Sequence, residues 1–356
     1  MADSRRGFLG KALVGAALAS LSPHVHAGGA RARIKVGQIG TSHAHASKLE
    51  VFRDSAEYEV VGIVEPSLER RSQVGKERAY ADLPWLSRDQ LLSTPGLELV
   101  LVETAVRDLL DHAEACIDAG KHVHLDKPAG ESLSQFTRIL QSAARQKLLV
   151  QLGYMYRYNP GIVMLRELVR EGWFGEIFEV HAVMSKVVDP TARAGLASYR
   201  GGIFFELGCH ITDLVVAVLG PPDRVTPFPR QAVRGQDSLF DNMLAVFEYQ
   251  NATATLKSSA VEVDGGARRH IIVCGTQGSF QVQPLDNPRV ELVLDRPRGK
   301  FPAGRQAVEL PRYTRYVDDA ADMARVIRGE KSPLFSHDHE LAVQKAVLQA
   351  CALPLT

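Results

Sequence analysis

The sequence predicts an α/β + α+β fold, in which a parallel sheet comes first and a large, open, mostly antiparallel sheet follows. Two observations predict it. From Arg33 to about residue 150, strand-like runs alternate with helical ones, which is typical of a parallel sheet with right-handed crossovers. Beyond residue 151, strand-like runs follow one another with few helices between them, which is typical of an antiparallel sheet. We therefore expect two domains, at 33–150 and 151–356.

The elements of the first half follow from short apolar runs and from helical periodicity. Strands are predicted at 34–39, 58–64, 97–102, 122–125 and 148–153, and helices at 44–55, 108–119 and 132–145. Gly120 is the expected C-cap of the second helix. Ser132 and Gln135 have the spacing of a capping box at the start of the third helix.

The second half reads as a series of strands closed by two helices. Strands are predicted at 177–184, 243–249, 252–258, 270–274, 279–282 and 290–294, and helices at 316–328 and 339–352. Gly275 and Gly278 bracket a hairpin between two of these strands. We expect this half to bind substrate and to carry oligomer contacts.

Residues 1–27 have the pattern of a twin-arginine export signal and are set apart from the fold. Arg5-Arg6-Gly7-Phe8-Leu9 is followed by an apolar run from Ala12 to Leu21, and Val25-His26-Ala27 offers small residues for cleavage. The alternative is a plain basic N-terminus. The signal implies recognition by the twin-arginine translocation machinery, export of the folded protein and a periplasmic location.

The bulk composition excludes several classes of protein. The chain has 356 residues, of which 45% are hydrophobic and 23% charged, as expected of a globular protein with room for two domains. A net charge of +1 without a basic stripe does not suggest a nucleic-acid partner. No apolar run reaches the roughly 18 residues that a membrane span needs. The four widely spaced cysteines indicate neither a disulfide scaffold nor a cysteine zinc site.

The turn after the first strand resembles a dinucleotide-binding fingerprint. In Gly37-Gln-Ile-Gly40-Thr-Ser42-His43-Ala-His45, Gly40 allows a tight turn, whereas Ser42 and His45 replace the second and third glycines of the motif. Glu65 ends the second strand 25 residues later, where an acidic side chain can bind the adenosine ribose. Together these features predict a Rossmann domain.

The same turn bears on the choice of cofactor. The carboxylate of Glu65 would repel a 2′-phosphate and favours NAD, although Arg70 and Arg71 keep NADP possible. The alternative for Glu65 is a carboxylate in a surface turn.

Three histidine pairs have a spacing that could suit a metal: His43 with His45, His122 with His124, and His337 with His339. No carboxylate or third ligand stands near any of them at metal spacing. We therefore predict no metal site.

Lys127 is the first candidate for chemistry. It follows a buried strand in Gly120-Lys-His-Val-His-Leu-Asp126-Lys127-Pro128, and the carboxyl ends of strands are where α/β sheets bind ligands. Burial would tune its ammonium group for proton donation or for binding a hydroxyl. The alternative is a solvated lysine at the start of a loop.

Glu206, His210 and Asp213 form the second candidate cluster. Their spacing places all three on one face of a helix. Histidine suits the removal of an alcohol proton near neutral pH, and a neighbouring carboxylate can orient it. The alternative is an ordinary surface ion pair.

These motifs in this order resemble the Gfo/Idh/MocA family of oxidoreductases, named after glucose-fructose oxidoreductase and inositol dehydrogenase. The resemblance runs from about residue 33 to the end and includes Arg157-Tyr-Asn-Pro160 and Gly201-Gly202. It implies a Rossmann domain, a second domain whose open sheet mediates homo-oligomerisation, and hydride transfer at a sugar or polyol carbon.

The resemblance also assigns roles to residues. Lys127 matches the family's catalytic lysine, His210 its catalytic histidine and Asp213 the aspartate three residues on, while Glu206 stands where aspartate is usual and Asp126 where glutamate is usual. The resemblance and the fingerprint together predict the cofactor-binding residues Gly40, Ser42, His43, His45, Glu65, Asp126 and Lys127. Candidate substrate contacts are Tyr154, Arg157, Lys186, Arg193 and Tyr199.

The expected activity is NAD(P)-dependent oxidation or reduction of a sugar, polyol or glycoside hydroxyl. Because an exported protein meets no free nicotinamide pool, the cofactor is expected to stay tightly bound and to be restored within each cycle. One alternative is an NAD-dependent glycosidase or lyase that acts by transient oxidation and elimination. Another is a non-catalytic binding module of the same fold.

Overall fold

The computed structural model of the protein describes residues 32–235 and 237–356. The predicted export signal at 1–27 lies outside these described residues. Within them, the first sheet is made of six strands, β1 (Ile34–Ile39), β2 (Tyr58–Val64), β3 (Trp85–Leu86), β4 (Leu97–Val102), β5 (His122–Leu125) and β6 (Val150–Leu152). Their order is β3-β2-β1-β4-β5-β6, and every neighbouring pair is parallel. The predicted parallel sheet is confirmed.

Five α-helices accompany this sheet in the described chain, α1 (Leu49–Asp54), α2 (Leu68–Val74), α3 (Arg88–Leu92), α4 (Leu109–Asp118) and α5 (Leu133–Gln146). The central strand β4 is buried at five of its six positions, as expected for a parallel sheet covered on both faces. The predicted helix at 44–55 instead begins with a 3-10 turn, Ala46–Lys48. Ser132 caps α5 through the backbone N–H of Gln135, but the Gln135 side chain bonds Asp111 and Glu114, so the capping box is only half formed.

The second sheet has eight strands in the described chain, β7 (Ile177–Val183), β8 (Arg224–Arg230), β9 (Asn242–Glu248), β10 (Thr253–Ser259), β11 (His270–Gly275), β12 (Gly278–Val282), β13 (Val290–Leu294) and β14 (Gly304–Val308). Their order is β14-β13-β12-β11-β7-β10-β9-β8, and only β7 with β10 is parallel. The large, mostly antiparallel sheet is therefore confirmed. The hairpin between Gly275 and Gly278 forms as predicted.

The strands β8 and β14 were not anticipated. β8 contains Pro227 and Pro229, which lack the N–H that a central strand needs, so the sequence there does not read as a strand. The order of strands explains why they are tolerated, because β8 lies at an edge of the sheet.

The remaining α-helices of the described chain are α6 (Pro160–Arg170), α7 (Pro190–Leu196), α8 (Cys209–Leu219), α9 (Val317–Ile327) and α10 (His337–Ala350). A π-helical turn, Phe204–Gly208, leads directly into α8. Core side chains from both sheets join one buried cluster, and the domain boundary at residue 150 stays a prediction. Among the described residues, no helix is both long and apolar enough to cross a bilayer.

Candidate functional site

Gly40 makes the tight turn at the end of β1. Its φ is +87°, a left-handed conformation that favours glycine. A Cβ placed there would lie 2.8 Å from the backbone carbonyl carbon and oxygen of Glu103 and 2.7 Å from the Thr104 side chain. Since backbone atoms cannot move aside, any side chain at this position would displace the turn.

A groove of about 710 Å³ opens at the carboxyl ends of β1, β2 and β4. Gly40, Ser42, Glu65, Arg71 and Thr104 are among its lining residues. This is where a doubly wound sheet binds a dinucleotide, and the volume suits a cofactor. The structure thus brings three of the predicted cofactor residues, Gly40, Ser42 and Glu65, to one groove.

The Glu65 carboxylate is buried and held by its neighbours. One oxygen accepts hydrogen bonds from the Thr41 N–H at 3.2 Å and the Thr41 hydroxyl at 2.8 Å, and the other accepts from the Ser67 N–H at 3.1 Å. Arg70 donates to the Thr41 carbonyl at 2.7 Å, and Arg71 stacks on Trp85. The alternative, that Glu65 is an exposed carboxylate in a surface turn, is therefore wrong. The guanidinium groups of Arg70 and Arg71 lie beside it.

Asp126, at the end of β5, is the centre of a buried polar cluster. Its carboxylate lies 2.6 Å from His43 Nδ1, 3.3 Å from His45 Nδ1 and 3.3 Å from Lys48 Nζ, and it accepts the Lys127 N–H at 2.7 Å. Burial works to raise the pKa of Asp126, but His43, Lys48 and His45 outweigh it and hold that pKa well below its ordinary value. Asp126 is thus an anion surrounded by donors.

The expectation that no carboxylate accompanies a histidine pair is wrong for His43 and His45, because the fold brings Asp126 to both of them. Their potential ligand atoms lie within 4.8 Å of one another. However, the 2.6 Å separation of His43 Nδ1 and Asp126 is that of a direct hydrogen bond, and the Lys48 ammonium already stands beside the carboxylate. The absence of a metal stays a prediction.

Lys127 is buried, so the solvated-lysine alternative is wrong. Its Nζ donates to a carboxylate oxygen of Glu206 at 2.9 Å and to the Glu206 backbone carbonyl at 2.9 Å. Burial works to lower the pKa of Lys127, but the Glu206 carboxylate outweighs it and raises that pKa above its ordinary value. Lys127 is therefore a buried cation, with Glu206 as its counter-ion.

The π-helical turn separates Glu206 from Asp213, which the sequence predicts to share one helix face with His210. Glu206 lies within this turn and contacts Lys127, whereas Asp213 lies on α8 and accepts hydrogen bonds from Arg157 at 2.6 Å and contacts His339 Nε2 at 3.0 Å. The three side chains do not form one ion-paired face. The extra residue that a π-turn accommodates shifts the helical register.

His210 is buried without a carboxylate partner in the described part of the chain, and its Nδ1 has no hydrogen bond. Its ring lies 5.8–5.9 Å, centre to centre, from the rings of His45, Tyr154 and Tyr156. The expectation that a neighbouring carboxylate, that of Glu206 or Asp213, orients the His210 ring is therefore wrong. Burial, followed by the positive charge of Lys127, lowers the pKa of His210 well below its ordinary value, so the imidazole is neutral.

The predicted substrate contacts fall into two groups. Tyr154 packs against His210, and Tyr199, half-buried, lines a cavity of about 450 Å³ beside Gly130. In contrast, Arg157 is engaged by Asp213 and Glu340, and Arg193 by Asp237 and Asp241. Lys186 belongs to neither group: its side chain is half-buried, and burial lowers its pKa.

Several buried residues of this region were missed, chiefly Lys48, Glu103, Tyr156 and Glu340. Glu103 had a signal, because it directly follows the apolar strand β4 just as Asp126 follows β5. Lys48 had none, since a lysine three residues after His45 in a helical segment reads as exposed.

Two family models match the chain. The model of the oxidoreductase family with an NAD-binding Rossmann fold covers residues 34–154, and that of the GFO/IDH/MocA C-terminal domain covers residues 162–281. The fold and these two matches define the class of the protein, which is that of oxidoreductases with an NAD-binding Rossmann domain. The chain belongs to the Gfo/Idh/MocA family.

Individual relatives are distant. The chain is 28% identical over 190 residues to myo-inositol 2-dehydrogenase of Thermotoga maritima, covering 52% of this chain and 54% of the relative. It is 24% identical over 280 residues to scyllo-inositol 2-dehydrogenase (NADP(+)) of Bacillus subtilis, covering 77% and 73%. Two of the curated relatives are matched over only 54% and 58% of their own length, so the chain spans little more than half of them.

Solved structures share the fold. An oxidoreductase from Agrobacterium radiobacter, crystallised with NAD+, L-tartaric acid and magnesium, superposes with a TM-score of 0.77 at 17% identity. The superposition covers 90% of this chain and 97% of that one.

Proposed function

We propose that this protein is an NAD(P)-dependent oxidoreductase that transfers a hydride between a bound nicotinamide cofactor and a hydroxyl carbon of a sugar, polyol or glycoside. The observation that carries the proposal is a buried lysine cation at the end of β5, Lys127, close enough for its charge to act on the buried, neutral imidazole of His210. An alcohol oxidation needs both, a cation to stabilise the developing alkoxide and a base to take the proton.

The residues present fit the dinucleotide. The turn at Gly40 leaves no room for a Cβ, and the groove beside it is lined by Ser42 and Glu65. Gly40 and Ser42 would face the pyrophosphate, and Glu65, oriented by Thr41, would take the ribose hydroxyls. When bound, the nicotinamide would supply a hydride acceptor or donor at the carbon to be oxidised or reduced.

The chain's own side chains supply the proton chemistry. Lys127 Nζ, now held by Glu206, would donate a hydrogen bond to the substrate oxygen and stabilise its negative charge. A ring nitrogen of neutral His210 would take the hydroxyl proton, and its low pKa would favour passing that proton on. The rings of Tyr154 and Tyr156 pack against the imidazole, which is buried.

A redox assay on the purified protein tests the proposal. Denatured protein should release a nicotinamide nucleotide, whose mass would decide between NAD and NADP and whose retention through purification would reveal tight binding. Addition of mono- and disaccharides or inositols to the loaded protein should change its absorbance near 340 nm. No bound or bindable nucleotide would favour a binding module, and release of an aglycone with unchanged cofactor redox state would favour the glycosidase or lyase.

Export and assembly are part of the same proposal. We propose that residues 1–27 direct the folded, cofactor-loaded protein through the twin-arginine pathway to the periplasm, and that copies associate through the open sheet of the second half. Replacing Arg5 and Arg6 together by lysine should retain the protein in the cytoplasm, as judged by cell fractionation. Light scattering would give the oligomeric state.

A further inference from the structure

Lys48 is a buried cation that the proposed mechanism does not use. Its side chain is fully buried, as is that of its partner Glu103. Lys48 Nζ lies 3.0 Å from a Glu103 carboxylate oxygen and 3.3 Å from Asp126, and it stands 5.1 Å from the centre of the Tyr316 ring. A lysine is seldom fully buried, and here it joins the carboxyl ends of β4 and β5.

Asp126 contacts both Lys48 and the backbone of Lys127. Its carboxylate accepts the Lys127 N–H at 2.7 Å and contacts His43 Nδ1 at 2.6 Å. The other nitrogen of His43 lies 3.1 Å from the Lys127 carbonyl oxygen. Both peptide groups of Lys127 are thus held by a cluster whose carboxylate is fixed by Lys48.

We propose that Lys48 is a positioning residue for Lys127, because its ammonium fixes Asp126 and, through Asp126 and His43, the backbone from which the Lys127 side chain reaches Glu206. Its effect on turnover rests on the function proposed above. Its effect on the position of Lys127 does not.

Glu103 supports this role. Neither of its carboxylate oxygens has a hydrogen bond in the described structure. The ionic contact with Lys48 is therefore the main interaction that offsets the cost of burying the Glu103 carboxylate. The charged and titratable groups that act on Glu103 are Lys48, Asp126, His124, Tyr80 and Tyr316. Burial and then Asp126 raise the pKa of Glu103 well above its ordinary value. Lys48 opposes this rise, so it is the cation that favours the ionised form of Glu103.

Two variants separate positioning from charge balance. Lys48→Met keeps much of the side-chain volume but removes the ammonium, and Lys48→Met with Glu103→Gln also removes the carboxylate that Lys48 neutralises. Lys345→Met, at an exposed position of α10, is the matched control. For each protein we would measure kcat, KM, thermal unfolding, NAD affinity by calorimetry, and the rate at which acetic anhydride labels Lys127, followed by peptide mass spectrometry.

We expect Lys48→Met to lower kcat by about a hundredfold, the loss typical of a displaced catalytic group, with KM and NAD affinity little changed. Lys127 should be labelled faster because it is no longer held against Glu206. The double variant should recover thermal stability but not kcat or protection of Lys127.

Three outcomes would overturn the inference. They are native kcat and native labelling in folded Lys48→Met, recovery of kcat together with stability in the double variant, and equal losses in Lys345→Met. If Lys48→Met does not fold, the double variant alone decides between low and native kcat. If the wild type turns over no substrate, the proposed function fails, and the labelling rates still decide the role of Lys48.

Discussion

Single residues set the charge of the site. Lys127 keeps its proton because Glu206 lies against it, and His210 stays neutral because it is buried beside that cation. The two groups therefore differ in charge, as the proposed mechanism requires of them, because their environments push their pKa values apart. Glu206, which stands where the family resemblance implies aspartate, has a carboxylate oxygen 2.9 Å from Lys127 Nζ.

Lys127→Met should lower turnover sharply while leaving the cofactor bound. The methionine fills the same space but offers no positive charge to the developing alkoxide, and loss of one such stabilising donor typically costs about 10²–10³ in kcat. Steady-state kinetics and cofactor content after denaturation would measure both effects. The Lys345→Met control should behave as wild type, and native turnover in Lys127→Met would remove Lys127 from the mechanism.

Gly40→Ala should weaken the cofactor site. The added Cβ would lie 2.8 Å from the Glu103 backbone, and the φ of +87° disfavours alanine, so the turn must shift. We expect lower NAD affinity by calorimetry and a lower melting temperature. Gly172→Ala serves as control for the conformational strain alone, since its φ is +71° and no atom lies within 4 Å of the added Cβ. Equal affinities in the two variants would contradict a role of Gly40 in the groove.

At the scale of elements, the helices α8 and α10 are tied by a buried ionic network. Arg157 donates to Asp213 on α8 and to Glu340 on α10, each at 2.6 Å, and His339 also contacts Asp213. Burial opposes ionisation of Asp213, but Arg157 outweighs it and lowers the pKa of Asp213 to about 2. This network fixes the helix that carries His210.

Asp213→Asn should destabilise the fold by about 3–5 kcal/mol, because it leaves part of the buried Arg157 charge uncompensated. Urea unfolding at pH 7 would measure the loss, with Asp223→Asn, at an exposed position, as control. The depressed pKa of Asp213 stabilises the fold above pH 3.8, the pKa of the unfolded chain, and this stabilisation is lost as the pH falls toward 2. The free energies of unfolding of the wild type and the variant should therefore converge in acid. A constant difference across this range would argue against the pair.

The elements themselves were largely predictable, whereas the contacts between them were not. Strand–helix alternation gave the parallel sheet, and a charge directly after an apolar strand marked Asp126 and Lys127. The convergence of His43, His45 and Lys48 on Asp126 joins residues about 80 positions apart, and no local periodicity encodes it. The π-helical turn is equally hidden, because the spacing of Glu206, His210 and Asp213 also fits an ideal α-helix.

At the scale of the whole molecule, α9 returns from the second half of the chain to the first sheet. Ala320, Met323 and Ala324 of α9 join the core of the first half, and the Tyr58 hydroxyl donates to the Ala320 carbonyl at 2.7 Å. The preceding residue, Asp319, is also buried. Burial raises its pKa to about 7, although Arg157 and Lys48 oppose the rise.

This buried acid should make the stability of the whole fold depend on pH. A raised folded-state pKa means that the folded protein holds the proton more tightly than the unfolded chain does. The stability that Asp319 contributes is therefore fully present below pH 3.8, the pKa of the unfolded chain. It is lost as the pH rises through about 7, the pKa of the folded protein. The free energy of unfolding of the wild type, relative to Asp319→Asn, should therefore fall between pH 4 and 7 and stay level above. At about 1.4 kcal/mol for each pKa unit, the change is on the order of 4 kcal/mol.

Urea unfolding of both proteins at several pH values would measure this difference and cancel the titration of all other groups. Asp223→Asn changes an exposed carboxylate outside α9, one that is not among the charges acting on Asp319, and should follow the wild type at every pH. If the difference between wild type and Asp319→Asn does not change with pH, the Asp319 carboxyl is not held in the protonated form. The contact of α9 with the first sheet would then have to accommodate a buried anion, for which Arg157 and Lys48 are the cations that lower its pKa.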